Sequence, residues 1–248
     1  MLFMKSRVKI KFFAAIIILL VFANSSYADE VQDLLNFYVN KFKPEKALLI
    51  IAERPDSTGL FSDIYMDLKG LNIDNFRLAG LTFRMKGVQF NEPSEWKRGN
   101  VECKDAMQVL ATASILENDI NHSIENKSFG ADDHWHNVQM SINPKGLSGR
   151  GYYKAGFLDV LINIDSGLKI SKGKELWLNN PQVKVNMLDL PDYMTKKALS
   201  RIQPLVDLKK FPLPVILSKV QLKKGSAVLS TRTLPKELTG GIRYKYPK

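Results

Sequence analysis

Apolar side chains recur along this chain with two periods, and the switch between them lays out the elements. From Val31 the spacing is helical: Val31, Leu34, Leu35, Tyr38 and Phe42 fall on one face, Asp29 stands at the N-cap position, and Pro44 ends the run. Beyond Pro44 the period drops to two, the repeat of a strand with one wet face and one dry face. Ile64, Met66 and Leu68 alternate with Tyr65, Asp67 and Lys69. Leu81, Phe83 and Met85 alternate with Thr82, Arg84 and Lys86, and Met107, Val109, Ala111 and Ala113 mark a further strand.

Ser114 and Glu117 have the spacing of a capping box, with Leu116, Ile120 and Ile124 following at every fourth residue, which predicts a second helix over 115–126. Strands resume with Val138, Met140 and Ile142, turn at Asn143-Pro144-Lys145-Gly146, and continue through Leu158, Val160, Ile162 and Ile164. The alternation of these last four with Asp159, Asn163 and Asp165 puts four aliphatic side chains on one face, with Val183 and Val185 expected on a neighbouring strand. Such a face is either the wall of an apolar groove for an acyl chain or part of a dry core. Leu190-Pro191 opens a third helix in which Met194, Ala198, Ile202 and Leu205 fall near one face, flanked by Lys196, Lys197 and Arg201. Val220, Leu222 and Val228 flank Lys223-Lys224-Gly225-Ser226 as a hairpin with a basic tip. The pattern predicts an α+β domain.

The two ends read differently. Lys5, Arg7, Lys9 and Lys11 precede an apolar run from Phe12 to Ala23, and Ser26-Tyr27-Ala28 resembles a small-residue cleavage site. The run is 12 residues long, against about 20 for a helix that crosses a bilayer, so residues 1–28 are predicted to be a signal peptide cleaved on export to the periplasm or cell envelope. Residues 233–248, with Pro235, Gly240, Gly241 and Pro247 and little periodicity, are predicted to be a flexible basic tail, leaving 29–232 as one domain. The single cysteine, Cys103, excludes an intramolecular disulfide and is read as a structural thiol.

Charge is uneven. Residues 191–248 hold 13 basic and 3 acidic side chains, whereas 29–190 are slightly acidic. Lys196, Lys197, Arg201, Lys209, Lys210, Lys223 and Lys224 are the candidates for contact with an anionic membrane surface. No nucleic-acid motif accompanies the basic residues, so nucleic acid is not an expected partner.

Little else points to chemistry. Asp133, His134 and His136 form the best candidate for metal ligands, since alternate strand residues share a face, but no further ligand is identifiable and no metal or cofactor is expected. No G-x-S-x-G, G-x-G-x-x-G, Walker or H-E-x-x-H sequence occurs, which disfavours an enzyme.

Gly70-Leu71-Asn72-Ile73 leading into Leu78-Ala79-Gly80-Leu81, then Glu117-Asn118-Asp119-Ile120, Leu190-Pro191, and Asp207-Leu208 followed by Phe211-Pro212 resemble the LmeA-like family of exported bacterial phospholipid-binding proteins over about 46–232. The resemblance implies a relative of the tubular lipid-binding (TULIP) proteins, with a curved, mainly antiparallel sheet wrapped around amphipathic helices. It implies a phospholipid or other acyl lipid as ligand and a role in envelope lipid transport or assembly. It supplies no catalytic residues. An envelope interaction or scaffold module without a ligand cavity is the alternative that the same alternation allows.

Overall fold

The computed structural model describes residues 29–73, 76–125, 134–199, 203–209 and 211–247. Residues 1–28, expected to be a signal peptide, the candidate ligand Asp133, and Arg201, Ile202 and Lys210 lie outside them. The described chain is mainly antiparallel β-structure with few helices, arranged as two sheets that share one hydrophobic core.

The first sheet has seven strands. β1 (Lys46–Ile51), β2 (Leu60–Ile73), β3 (Phe76–Phe90) and β4 (Cys103–Leu116) pair in sequence. β11 (Lys219–Lys223) and β12 (Ser226–Ser230) add beside β4, and β13 (Ile242–Tyr246) adds beside β1. The period-two reading holds here: Ile64, Met66, Leu68, Phe83 and Met85 are all buried, because each alternation puts one set of side chains on the inner face. Helix α1 (Glu30–Phe42) lies against that face. Its Val31, Leu34, Leu35, Tyr38 and Phe42 are buried, and the Tyr38 ring meets Phe83 at 5.9 Å. Each such side chain contributes about 1.5–3 kcal/mol by leaving water. A 3₁₀ turn, Pro93–Arg98, closes one end, with Trp96 stacked on Phe61 and its indole N–H donating to Asn91.

The second sheet contains β5 (Trp135–Asn143), β6 (Gly146–Ala155), β7 (Leu158–Ser171) and β8 (Glu175–Val185), with the two-residue strands β9 (Leu188–Asp189) and β10 (Val206–Asp207) beside β8. Helix α2 (Glu117–Glu125) fastens its edge. The Asn121 side chain accepts from the Met140 N–H and donates to the Met140 carbonyl, and Glu117 accepts from the Ile142 N–H. These two side chains stand in for a neighbouring strand. The β11–β12 hairpin reaches the same edge, where the Gly225 N–H donates to the Ile142 carbonyl.

Four expectations change. The second helix begins at Glu117, and no capping box forms: Ser114 stays in β4, paired with Gly80 and Val228, and Glu117 turns to β5 instead. Asp29 sits at the N-cap of α1 without a side-chain cap, because its carboxylate is taken by Arg54 and the Tyr244 hydroxyl. Helix α3 (Asp192–Leu199) buries Thr195 and Leu199, one turn apart, whereas Met194 is exposed, so its inner face is rotated by one residue from the expected one. The segment 233–248 is no flexible tail over its described part. β13 pairs with β1 along five residues, and Leu238 and Tyr244 are buried.

Candidate functional site

The inner face of the second sheet carries the residues expected to line a groove. Register places Ile162 opposite both Gly151 on β6 and Val185 on β8, and Ile164 opposite Gly149 and Val183. Residues directly opposite in an antiparallel ladder project to the same side. Val160 joins them opposite Tyr153, and Met140 lies opposite Gly149 on β5. The six expected residues therefore share one apolar face, but they differ in cover. Val183 is buried; Val160, Ile162, Ile164 and Val185 are half-buried; Leu158 is exposed at the end of the strand.

This gradient follows from what packs on the sheet. Toward the other end, Leu176, Leu178, Leu213, Val215 and Leu217 are buried in the core shared with the first sheet, and β11 crosses over β7. Toward Leu158 the same face becomes progressively exposed, so it is an open continuation of the core.

Two glycines lie on it. At Gly149 and Gly151, β6 has no side chain on this face, and the Met140 and Val138 side chains of β5 occupy the space. A Cβ at Gly149 would lie 2.9 Å from the Met140 sulfur, and one at Gly151 would lie 2.9 Å from a Val138 methyl. The flanking side chains thus lean over the glycine strip, and a larger residue there would force them away. Sequence reading missed this strip, although glycine on alternate residues of a strand, Ser148-Gly149-Arg150-Gly151, was its signal. The opposite face of the sheet carries Arg150, Tyr152, Asp159, Asn163, Asp165 and Lys184. Charge is kept off the apolar face.

The histidines do not converge. A bulge between His136 and Gln139, with Asn137 at φ 52°, shifts the alternation by one residue. His136 consequently stacks on Tyr152 at 5.6 Å on the polar face, near Asp159, while His134 precedes the strand and stacks on Tyr153 at 5.5 Å. Adjacent tyrosines on β6 point to opposite faces. Among the described residues no three His, Cys, Asp or Glu side chains are grouped to hold a metal ion. Burial, and then Asp105, push the Cys103 thiol up to about 11, so it is protonated at neutral pH and a poor nucleophile.

The basic residues are dispersed. Lys196 is exposed on α3, and Lys197 lies in the same helix. Lys223 and Lys224 are exposed at the β11–β12 turn, near Ile142. Lys209 lies beside Lys174 at the far end of β8 and forms an ion pair with Glu175. That bond, and then the Trp177 indole N–H, hold the Glu175 carboxyl below its ordinary range. Across the 11 residues of β8, about 33 Å at strand rise, the described lysines form no single patch. A depression of about 390 Å³ is lined by Asp67, Lys69, Gly80, Thr82, Thr112 and Ser114 on the outer side of the first sheet, away from the apolar face of the second. Among the described residues no helix is long and apolar enough to cross a membrane.

Comparison with known proteins finds no match among curated proteins or solved structures. A family model, LmeA-like phospholipid-binding, matches residues 58–232, which take in β2 to β12 and therefore the whole apolar face of the second sheet. With well over half of its length matched, the chain belongs to the LmeA-like phospholipid-binding family.

Proposed function

We propose that this chain is an exported, nonenzymatic lipid-binding protein that holds an acyl chain of a phospholipid or similar lipid in the trough of its second sheet. The observation that carries the reading is an apolar, half-exposed face, formed by Val160, Ile162, Ile164 and Val185 over the Gly149 and Gly151 strip, in a chain of a phospholipid-binding family. From the Val160 row to the Ile164 row the face is roughly 13 Å long at strand rise. Each methylene buried contributes about 0.8 kcal/mol, so ten give about 8 kcal/mol, set against an association cost of about 4–15 kcal/mol. A long or second acyl chain is therefore favoured over a short one.

Residues 1–28 act as the cleaved export signal, the chain from 29 through β13 forms the lipid-binding domain, and α1 against the first sheet serves as the helix-in-sheet arrangement of a TULIP-like fold. Lys196, Lys197, Arg201, Lys209, Lys210, Lys223 and Lys224 contribute diffuse attraction to an anionic membrane during lipid transport or assembly in the envelope. Mass spectrometry of lipid extracted from the purified mature protein is the direct test. Stoichiometric acyl lipid supports the reading, and a protein that neither retains lipid nor takes it up from vesicles refutes it. N-terminal sequencing of the exported form should begin at Asp29.

A further inference from the structure

The open end of the trough is bounded by two tight turns, and both hold a large apolar residue in water. Ala155 pairs with Leu158, so β6 and β7 are joined by Gly156-Phe157 alone; Val185 pairs with Leu188, so β8 and β9 are joined by Asn186-Met187 alone. Phe157 is 93% exposed, Met187 71% and Leu188 75%. The turns sit at the same end of the sheet, since Ile162 pairs with Val185 and the Asn186 side chain accepts from the Leu161 N–H at 3.0 Å. Leu158 is exposed beside Phe157, and Tyr193 and Met194 are exposed on the first turn of α3.

Local structure does not account for these residues. Asn186 and Met187 have φ values of 49° and 71°, the left-handed pair of a type I′ turn, whose second position favours glycine. Met187 accepts the backbone penalty of that region without burying its side chain. Two other exposed hydrophobic residues have local work: Met107 lies across the bare backbone of Gly87, and Ile216 across Gly173.

Resting on the lipid-binding reading, we infer that Phe157, Met187 and Leu188 form an insertion tip that enters the apolar region of a lipid bilayer and presents the mouth of the trough to it. The tip is made of hairpin turns and is continuous with the apolar face of the trough; an acyl chain leaving a bilayer passes directly from one apolar medium to the other. Charge beside the tip is balanced, with Lys154, Lys184 and Lys196 against Asp159, Asp189 and Asp192. Binding through it is therefore resistant to salt, unlike attraction by the dispersed lysines.

Met187→Gly tests this without threatening the fold, because glycine suits the turn better. The mature protein, Met187→Gly and Phe157→Ser are sedimented with phosphatidylcholine vesicles and with mixed phosphatidylcholine–phosphatidylglycerol vesicles, at low and high salt. Expected are a salt-resistant partition for the wild type, a loss of about tenfold or more in it for each variant, and a thermal midpoint for Met187→Gly at or above wild type. Unchanged partition in both variants overturns the tip, as does a lipid-free dimer that Met187→Gly dissociates while vesicle binding persists. Lipid content measured on the same preparations separates the two readings. Lipid retained with unchanged vesicle partition refutes the tip alone, whereas tip-dependent partition by a protein that never takes up lipid refutes the trough alone.

Discussion

Replacing Ile162 with Trp separates an open trough from a filled core. Ile162 faces the missing side chain of Gly151 on one side and Val185 on the other, and it is half-buried. Ile64 is the matched control, since it pairs with Ile51 and Met85 on the inner face of the first sheet and all three are 0% exposed. Overpacking a closed site costs about 1–3 kcal/mol. For a domain of this size each kcal/mol moves the thermal midpoint by about 2–4 °C, so Ile64→Trp should lower it by about 2–12 °C. At Ile162, which is half-buried, the indole must extend outward along the open end of the face past Val160, since Val138 and Met140 already fill the glycine strip, and the cost should stay within about 0.5 kcal/mol, a shift of about 1–2 °C. Midpoints are compared on delipidated protein, because ligand bound to the folded state stabilises it by mass action. Lipid uptake by Ile162→Trp should fall, while Ile64→Trp should retain uptake in its folded fraction. The reasoning is refuted if both variants lose stability equally and the wild type takes up no lipid, for then the face is a dry core.

Asn121→Ala should destabilise by about 1–3 kcal/mol, since it strips the Met140 N–H and carbonyl of their partner; faster amide exchange at Met140 than at Met66 checks it, and unchanged exchange refutes it. Cys103→Ser should leave lipid uptake intact, and alkylation of the wild-type thiol should accelerate only as pH approaches about 11; rapid labelling at neutral pH contradicts this. Burial, and then charge from Asp67, raises Tyr65 to about 12, and burial, and then the bond to Asp29, raises Tyr244 to about 12. The folded state thus keeps protons that the unfolded chain releases above about 10, so stability is full below pH 10 and lost toward pH 12. Thermal midpoints that stay flat across that window, or phenols that all titrate near 10, would falsify this.

The order of the elements was legible in the residues because periodicity is local. The apolar stripe of Val31 to Phe42, the alternation of β2 and β3 and the turn at Asn143-Pro144-Lys145-Gly146 needed no knowledge of neighbours. The shared face of Leu158, Val160, Ile162 and Ile164 was equally legible, since side-chain direction along a strand has period two. Whether that face is covered was not, because alternation is identical over a dry core and an open trough; β11 and the segment from Leu213 to Leu217 decide it from elsewhere in the chain. A one-residue bulge at Asn137 turned His136 away from the face expected of it, and a backbone partner from β5 drew Glu117 out of its cap. The C-terminal segment has little periodicity of its own, yet the free edge of β1 orders it as β13. Sequence by itself determined which faces are apolar; only the tertiary structure decided which of them other elements exclude from water, because burial is a property of two surfaces and periodicity describes one.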